Sequence, residues 1–290
     1  MTRSDSYKFD VTFVTNVTAP TEFWQLQSKT FYYGEKGEEI ADYSENYSVK
    51  KNEAGTLYIA SVAKSSSIFY YDAGVYTAAD TIPEGKNIGD ARPIERANGA
   101  HVSSESAMKQ SDSYKYDASF VTSPAAGEEL FRLQSKTVYV GEKGEEIADY
   151  SLNYSVKKDP ETTDYIDSVA KSSSIFYYGA SSLRADDPLV SSETAMTRSD
   201  SYKYDTSFVT DVTAATELIK LQSRTVYYGE KGDEVADYSE NYTVKKNALG
   251  TLYIDSLAKS SSIFYYDDLA VTGTQYLRAS AASSEAKMTR

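Results

Sequence analysis

The chain has no cysteine, one histidine, one tryptophan and only six prolines among its 290 residues. Without cysteine there is no disulfide, no thiolate metal site and no thioether-linked cofactor. A single histidine removes His-rich metal sites and, with no cysteine, nearly all Ser/His or Cys/His nucleophilic chemistry. Basic residues are in deficit: 30 Lys and Arg stand against 43 Asp and Glu, a net charge of −13. That balance argues against a nucleic-acid partner, whose affinity comes from clustered cations. Apolar runs reach only four or five residues, as at Ile68-Phe-Tyr-Tyr71, too short to span a bilayer. The opening MTRSDSYKFD carries no apolar signal stretch and is not Arg-rich and amphipathic like a transit peptide. Earlier removal of a transit peptide stays open.

What is abundant is tyrosine, 27 residues, within an aromatic content of 13%. The excess follows from a repeat. Residues 4–72, 111–179 and 199–267 align without a gap, and 43 of the 69 columns are identical in all three copies. Of the tyrosines, 25 lie inside these modules and only Tyr76 and Tyr276 outside. The intervals 73–110 and 180–198 are rich in Ala, Ser, Gly, Asp and Pro, without periodicity, and read as extended linkers. A tail, 268–290, follows. Met1, Met108 and Met196 each stand three residues before a module, and Met288 marks where a fourth would begin. The chain either stops there or belongs to a longer array.

Within the second module, Tyr114, Tyr116, Ala118 and Phe120 alternate as the inward face of a half-buried strand. Residues 130–140 read as a second strand, pairing with the first as an antiparallel hairpin and stopped by Gly141-Glu-Lys-Gly144. Ile147, Tyr150 and Tyr154 at i, i+3 and i+7 predict a helix over 145–158. Tyr150, Tyr154 and Val156 also share strand parity, and the same choice holds for 39–51. Thr163 can cap a helix with Tyr165, Ile166, Val169 and Ala170 on one face, weakened by Ser172–174. The expected fold class is therefore α+β: three small modules, each a hairpin with one or two helices, joined by extended linkers.

A 69-residue unit with no staple is marginal alone, and its aromatic content exceeds what so small a core needs. Rings with a polar tip suit interfaces. The candidate partner-binding residues are Tyr43, Tyr47, Phe69, Tyr70 and Tyr71 in the first module, and Tyr150, Tyr154, Phe176, Tyr177 and Tyr178 in the second. Tyr238, Tyr242, Phe264, Tyr265 and Tyr266 are their counterparts in the third.

Other motifs carry less. The pairs Glu38-Glu39, Glu145-Glu146 and Asp233-Glu234 are adjacent, not facing, and read as solvated helix starts. Gly34-Glu-Lys-Gly37 and its copies lack the Gly-Lys-Ser/Thr step of a phosphate loop and read as turns. Asn16, Asn46, Asn153 and Asn241 head sequons, which matter only in a secreted chain. His101 lies in an interval and reads as a surface residue. No catalytic or metal-binding set emerges, and the chain is expected not to be an enzyme.

Leu133-Gln-Ser-Lys136 on the second strand and Ser168-Val-Ala-Lys171 resemble segments of the small alpha subunits of cryptophyte phycobiliproteins. The tandem arrangement resembles the cryptophyte-alpha-related scaffolding (linker) proteins of red-algal phycobilisomes. The likeness covers the three modules, 207 of 290 residues. It implies a hairpin followed by a helix, and a multivalent scaffold that docks on phycobiliproteins. The partners it implies are phycoerythrin or phycocyanin, through beta subunits, with other linker proteins. It places the chain in the chloroplast, on the stromal face of the thylakoid. The alpha subunit attaches its bilin through a cysteine near the hairpin turn. Here residues 15–20, 122–127 and 210–215 have none, so no bilin is covalently held and only contact with a partner's bilin stays open. A chain at −13 also departs from basic linkers that thread acidic discs. The alternative is an extracellular, Tyr-rich repetitive adhesive or cell-surface protein.

Overall fold

The segment Tyr-Ile-Asp-Ser-Val-Ala-Lys-Ser-Ser-Ser-Ile-Phe-Tyr-Tyr is dominated by β-branched, aromatic and serine residues, all mediocre helix formers. In the computed structural model it is a 14-residue strand, Tyr165–Tyr178. The structure describes residues 1–9, 13–17, 23–54, 56–267, 276–282 and 288. In chain order its strands are β1 Arg3–Tyr7, β2 Leu26–Tyr33, β3 Ile40–Lys51, β4 Tyr58–Tyr71, β5 Glu95–Arg96, β6 Met108–Lys115, β7 Leu133–Val140 and β8 Ile147–Lys158. Then follow β9 Tyr165–Tyr178, β10 Met196–Lys203, β11 Leu221–Tyr228, β12 Val235–Lys246, β13 Tyr253–Ile263, β14 Tyr266–Asp267 and β15 Tyr276–Leu277. Among the described residues the single helical turn is a 3-10 turn at Ala279–Ala281. Strands β1 to β4 and β6 to β13 are hydrogen-bonded neighbours in chain order; β5 adds to β4, and β14 pairs with β15.

This corrects the α+β expectation. Residues 145–158 and 165–170, expected as helices, are strands β8 and β9, and 39–51 is strand β3. Three apolar residues at i, i+3 and i+7 made the helical stripe, but the Tyr/Val/Ser parity of the same segments won. Thr163 caps no helix; it is a turn residue with φ of 65°. The first strand also ends sooner than its alternation implies: β6 stops at Lys115, and Tyr116, Ala118 and Phe120 lie beyond it. The hairpin-plus-helix likeness to the alpha subunit is lost with the helices. The Gly-Glu-Lys-Gly turn does hold the hairpin between β7 and β8. Gly141 has φ of 119°, and a Cβ there would lie 2.4 Å from Glu145 O.

The chain divides into two compact units. The first holds Met1–Lys136, Glu142–Gly144 and Tyr154–Val169; the second holds Thr137–Gly141, Glu145–Asn153 and Ala170–Arg290. In the first unit β4, the end of one module, pairs antiparallel with β6, the start of the next. Ser66 faces Tyr114, Ile68 faces Asp112 and Tyr71 faces Met108. The core of this unit sits at that junction. Ile68, Tyr114 and Leu133 are fully buried, with Tyr43, Tyr70, Val121 and Tyr154 packed against them. Ser66 Oγ donates to Val121 O at 2.5 Å, bringing the loop after β6 onto the cluster.

The second unit repeats this design column by column. β9 pairs with β10 in the same register: Ser173 faces Tyr202, Ile175 faces Asp200 and Tyr178 faces Met196. Ile175, Tyr177, Tyr202 and Leu221 form the cluster, with Tyr150, Val209, Val212 and Tyr242 against it. Each core therefore draws residues from two sequence modules. Buried charges are paired at both junctions, as their burial requires. Lys136 Nζ lies 3.2 Å from Asp112, and the Arg224 guanidinium holds Asp200 through Nε at 3.0 Å and Nη2 at 2.9 Å.

The intervals between modules are not extended linkers either, which completes the correction of the fold class. Each folds back onto the end of the preceding module, and the tail meets its module in the same way. Glu95, Leu183 and Leu277 pair with Tyr71, Tyr178 and Tyr266 respectively. The next residue is arginine each time. Arg96 reaches Asp42, Arg184 reaches Asp149 and Arg278 reaches Asp237, all at 2.7 Å. The residue after that is a buried alanine: Ala97, Ala185 or Ala279. The first interval has extra structure of its own. Arg92 ties Asp80 to Ala73 O, and its guanidinium, with Thr77, holds the Asp80 carboxyl well below the usual carboxylate range.

The anchor gives a testable expectation. Arg184 donates from both Nε (2.9 Å) and Nη2 (2.7 Å) to Asp149. Arg184→Ala should cost about 1.5–3 kcal/mol in urea denaturation, the range for hydrogen bonds to charged groups. Arg184→Lys should recover little, since an ammonium cannot reproduce the fork.

Candidate interaction surface

Side chains free to meet a partner are those that the junctions leave uncovered. On the β3–β4 hairpin the register slips twice: Lys51 faces Tyr58 but Lys50 faces Ala60, and Tyr47 faces Ala63 but Asn46 faces Ser65. Ile59 and Lys64 are the extra residues, two bulges in one strand. The β12–β13 hairpin slips at the same columns, leaving Ile254 and Lys259. Val62 lies opposite Ser48, and Leu257 opposite Thr243. In all three modules the same pair stands out of the sheet: Ile59 with Val62, Ile166 with Val169, and Ile254 with Leu257. All six are between 40% and 55% exposed. The following lysines, Lys64, Lys171 and Lys259, are exposed as well. Single exposed apolar residues need no explanation, but the same pair at the same column of every module does.

Side-chain contacts flank the hairpin tip. Lys51, Lys158 and Lys246 lie over the rings of Tyr58, Tyr165 and Tyr253 at 4.7, 4.4 and 4.7 Å. The Asn52 and Asn247 carboxamides each accept backbone N–H groups of the turn, from Thr56 and Leu57 and from Thr251 and Leu252. In the first unit an open groove of about 530 Å³ adjoins Ile166, lined also by Glu128, Phe131, Tyr165 and Asp167.

The aromatic residues singled out from the sequence sit mostly at the junctions. Tyr71, Tyr177, Tyr178 and Tyr266 are buried. The Tyr71, Tyr178 and Tyr266 hydroxyls each donate at 2.5 Å to the carbonyl of an alanine in the neighbouring β3, β8 or β12: Ala41, Ala148 or Ala236. Tyr43 stacks on Phe31 at 4.5 Å and, with Tyr70 and Tyr154, packs on the first core. Tyr150 and Tyr242 pack on the second core. Phe176 packs against Ile147, Tyr178 and Ala185. Tyr47 meets Phe120 of the next module edge-on at 5.4 Å. Phe69, Tyr238, Phe264 and Tyr265 are half-buried along β4, β12 and the end of the third module. The tyrosine excess therefore goes largely into joining modules. The sequence reading missed the Ile/Val pairs because it placed Ile166 and Val169 on the buried face of a helix.

The acidic pairs cap turns instead of starting helices: Glu39 and Glu234 each accept the N–H of the second turn glycine, Gly37 or Gly232, at 2.9 Å. The sequon asparagines Asn46 and Asn153 donate their amide nitrogens, the atoms a glycan would take, to Ser67 and Ser174 Oγ at 3.1 Å. His101 Nδ1 lies 2.7 Å from Glu95 within the first interval. Among the described residues no three His, Asp or Glu side chains gather to hold a metal ion. No protein-family model matches the sequence, and comparison with curated proteins finds no match.

Proposed function

We propose that the chain is a non-catalytic scaffold that offers one surface three times, to repeated sites on a partner assembly. The recurrence of the exposed Ile-Val/Leu pair and its lysine at the same column of each module carries this reading. Repeated weak contacts on one chain gain avidity when they engage together. The partner class follows from the sequence resemblance: phycobiliprotein subunits of a phycobilisome at the stromal face of the thylakoid. Its Leu-Gln-Ser-Lys and Ser-Val-Ala-Lys segments lie on β7 and β9. With no cysteine the chain itself carries no thioether-bound bilin, so its role is to hold pigmented partners together.

The test is co-purification with bilin-absorbing complexes under mild conditions. Two half-exposed apolar side chains contribute about 2 kcal/mol when covered. Ile166→Ser with Val169→Ser should therefore weaken capture about tenfold or more. The unfolding free energy from urea denaturation should stay within about 0.5 kcal/mol of the parent, as for surface substitutions. Unchanged capture with all three pairs replaced would refute the surface. Glycans on Asn46 or Asn153 would favour the adhesive alternative.

A further inference from the structure

The second module differs in charge from its two sisters around the groove beside Ile166. The outer part of its β8–β9 hairpin, 154–171, carries three lysines against four acids, a net −1. The matching stretches, 47–64 and 242–259, carry three lysines against one acid, a net +2 each. Glu161, Asp164 and Asp167 stand where the first module has Ala54, Leu57 and Ala60 and the third has Leu249, Leu252 and Asp255. Glu128, in the loop before β7, stands where the sisters have Thr21 and Thr216.

That loop folds onto the hairpin. The Phe131 N–H donates to Glu128 O at 3.0 Å, the Ser168 N–H donates to Leu130 O at 2.9 Å, and Phe131 bridges Asp167. Among the described residues neither sister has this bridge. Glu128 and Asp167 thereby line one groove of about 530 Å³, with Phe131, Tyr165 and Ile166 as its other walls. The Phe131 and Tyr165 rings stand at 90° with centroids 6.4 Å apart. Arg132 lies over Phe131 and Lys158 over Tyr165, at 5.2 and 4.4 Å, but neither lines the groove, whose own charges are the two carboxylates. Both carboxylates are exposed, and among the described residues neither has an ion-pair partner.

Carboxylates without a cation, set beside aromatic and aliphatic walls, are complementary to a planar cation on an apolar stem. A guanidinium pairs with carboxylates through its fork, stacks on rings and is more weakly hydrated than an ammonium. The volume is in the range of sites that take small ligands or a side chain with its flanking residues. We propose that this groove binds an arginine side chain of a partner protein, with the guanidinium against Glu128 and Asp167 and the stem along Phe131, Tyr165 and Ile166. The site belongs to the second module alone, so it goes beyond the surface offered three times. It marks one of three similar modules, and an arginine at the matching place on the partner sets which module docks there.

NMR of the full chain titrated with the tripeptide acetyl-Leu-Arg-Leu-amide tests this. The amide signals of Phe131, Ile166 and Asp167 should shift with a Kd on the order of 1 mM, and added salt should weaken the binding. The same peptide with citrulline, uncharged and of similar shape, should bind at least about tenfold more weakly. The lysine peptide should also bind more weakly, because an ammonium lacks the fork. Glu128→Thr with Asp167→Ala gives these two columns the residues of the first module. It should abolish the shifts and leave the urea transition unchanged, as for surface substitutions. That variant keeps Ile166, Val169 and Lys171, so failure of the groove and failure of the threefold surface are told apart. No shift at about 10 mM peptide, equal binding of the citrulline or lysine peptide, or shifts that persist in the double variant would overturn the proposal.

Discussion

Tyr202→Ala is expected to remove about 3–5 kcal/mol of stability, the range for deleting a large buried aromatic side chain. Tyr202 is 0% exposed and lies between β9 and β11, touching residues of two modules: Ile175 and Tyr177 from one, Leu221 from its own. Losing it leaves a void where the second unit has its largest fully buried side chain, beside the paired Asp200 and Arg224. Urea denaturation followed by circular dichroism measures the loss. Tyr228→Ala, at a tyrosine 55% exposed, is the control and should change stability by about 0.5 kcal/mol or less. Equal effects would mean that the junction does not hold the unit together.

The second large effect is on pH. Burial, reinforced by the charge of Asp112, pushes the Tyr70 phenol up to about 12. Burial together with the hydrogen bond to Glu240 pushes Tyr242 up to about 12 as well. Burial raises Tyr114, Tyr178 and Tyr202 in the same direction. An unfolded tyrosine ionises near 10. A group whose folded pKa lies above its unfolded value contributes stability that is full below the unfolded value and is lost as pH rises through the folded one. The protein should therefore unfold in base between about pH 10 and pH 12. Phenolate absorbance should rise in two stages, the second coinciding with loss of the strand signal. A single ionisation step centred near 10, with that signal intact throughout, would overturn the expectation.

Much of the repeat was legible and much of the fold was not. Forty-three identical columns define the modules without ambiguity, and the Gly-Glu-Lys-Gly turn announces a hairpin. Periodicity failed at 145–158 and 165–170 because short amphipathic stretches of Tyr, Ser and Ala fit both a 3.6 and a 2.0 period. What decided between them was non-local. β8 finds its partners in β7 and β9 on either side of it, and only the closing part of β9 finds β10 of the next module, pairings that no window within one segment contains. The interface residues failed for a related reason. Tyr43, Tyr70 and Tyr177 were read as surplus to the core of one module and offered to a partner, and they pack in cores shared with the adjoining module of the same chain. The Ile/Val pairs were hidden by the wrong helix. The interval anchors did leave a signal, Glu95-Arg-Ala97, Leu183-Arg-Ala185 and Leu277-Arg-Ala279, but they begin 23, 4 and 10 residues past the ends of the preceding modules, so an alignment carried forward from the modules does not reach them, although Arg96 and Arg184 both stand 15 residues before the next module.

Those anchors have a consequence for how such chains change length. The peptide leaves β4 or β9, is pinned by one arginine and one small buried side chain, and re-enters at a methionine that starts the next strand. One interval is 38 residues long and the other 19, yet the two junctions share a single register. Closing a loop costs only about 0.6 kcal/mol more for each doubling of its length. The stretches between the alanine and the methionine, 98–107 and 186–195, are equal, and the whole difference lies before the anchor, at 72–94 and 179–182. The stretch between the closing strand and the arginine is thus a port, where foreign sequence can be inserted, lengthened or exchanged while the strands on either side stay in step.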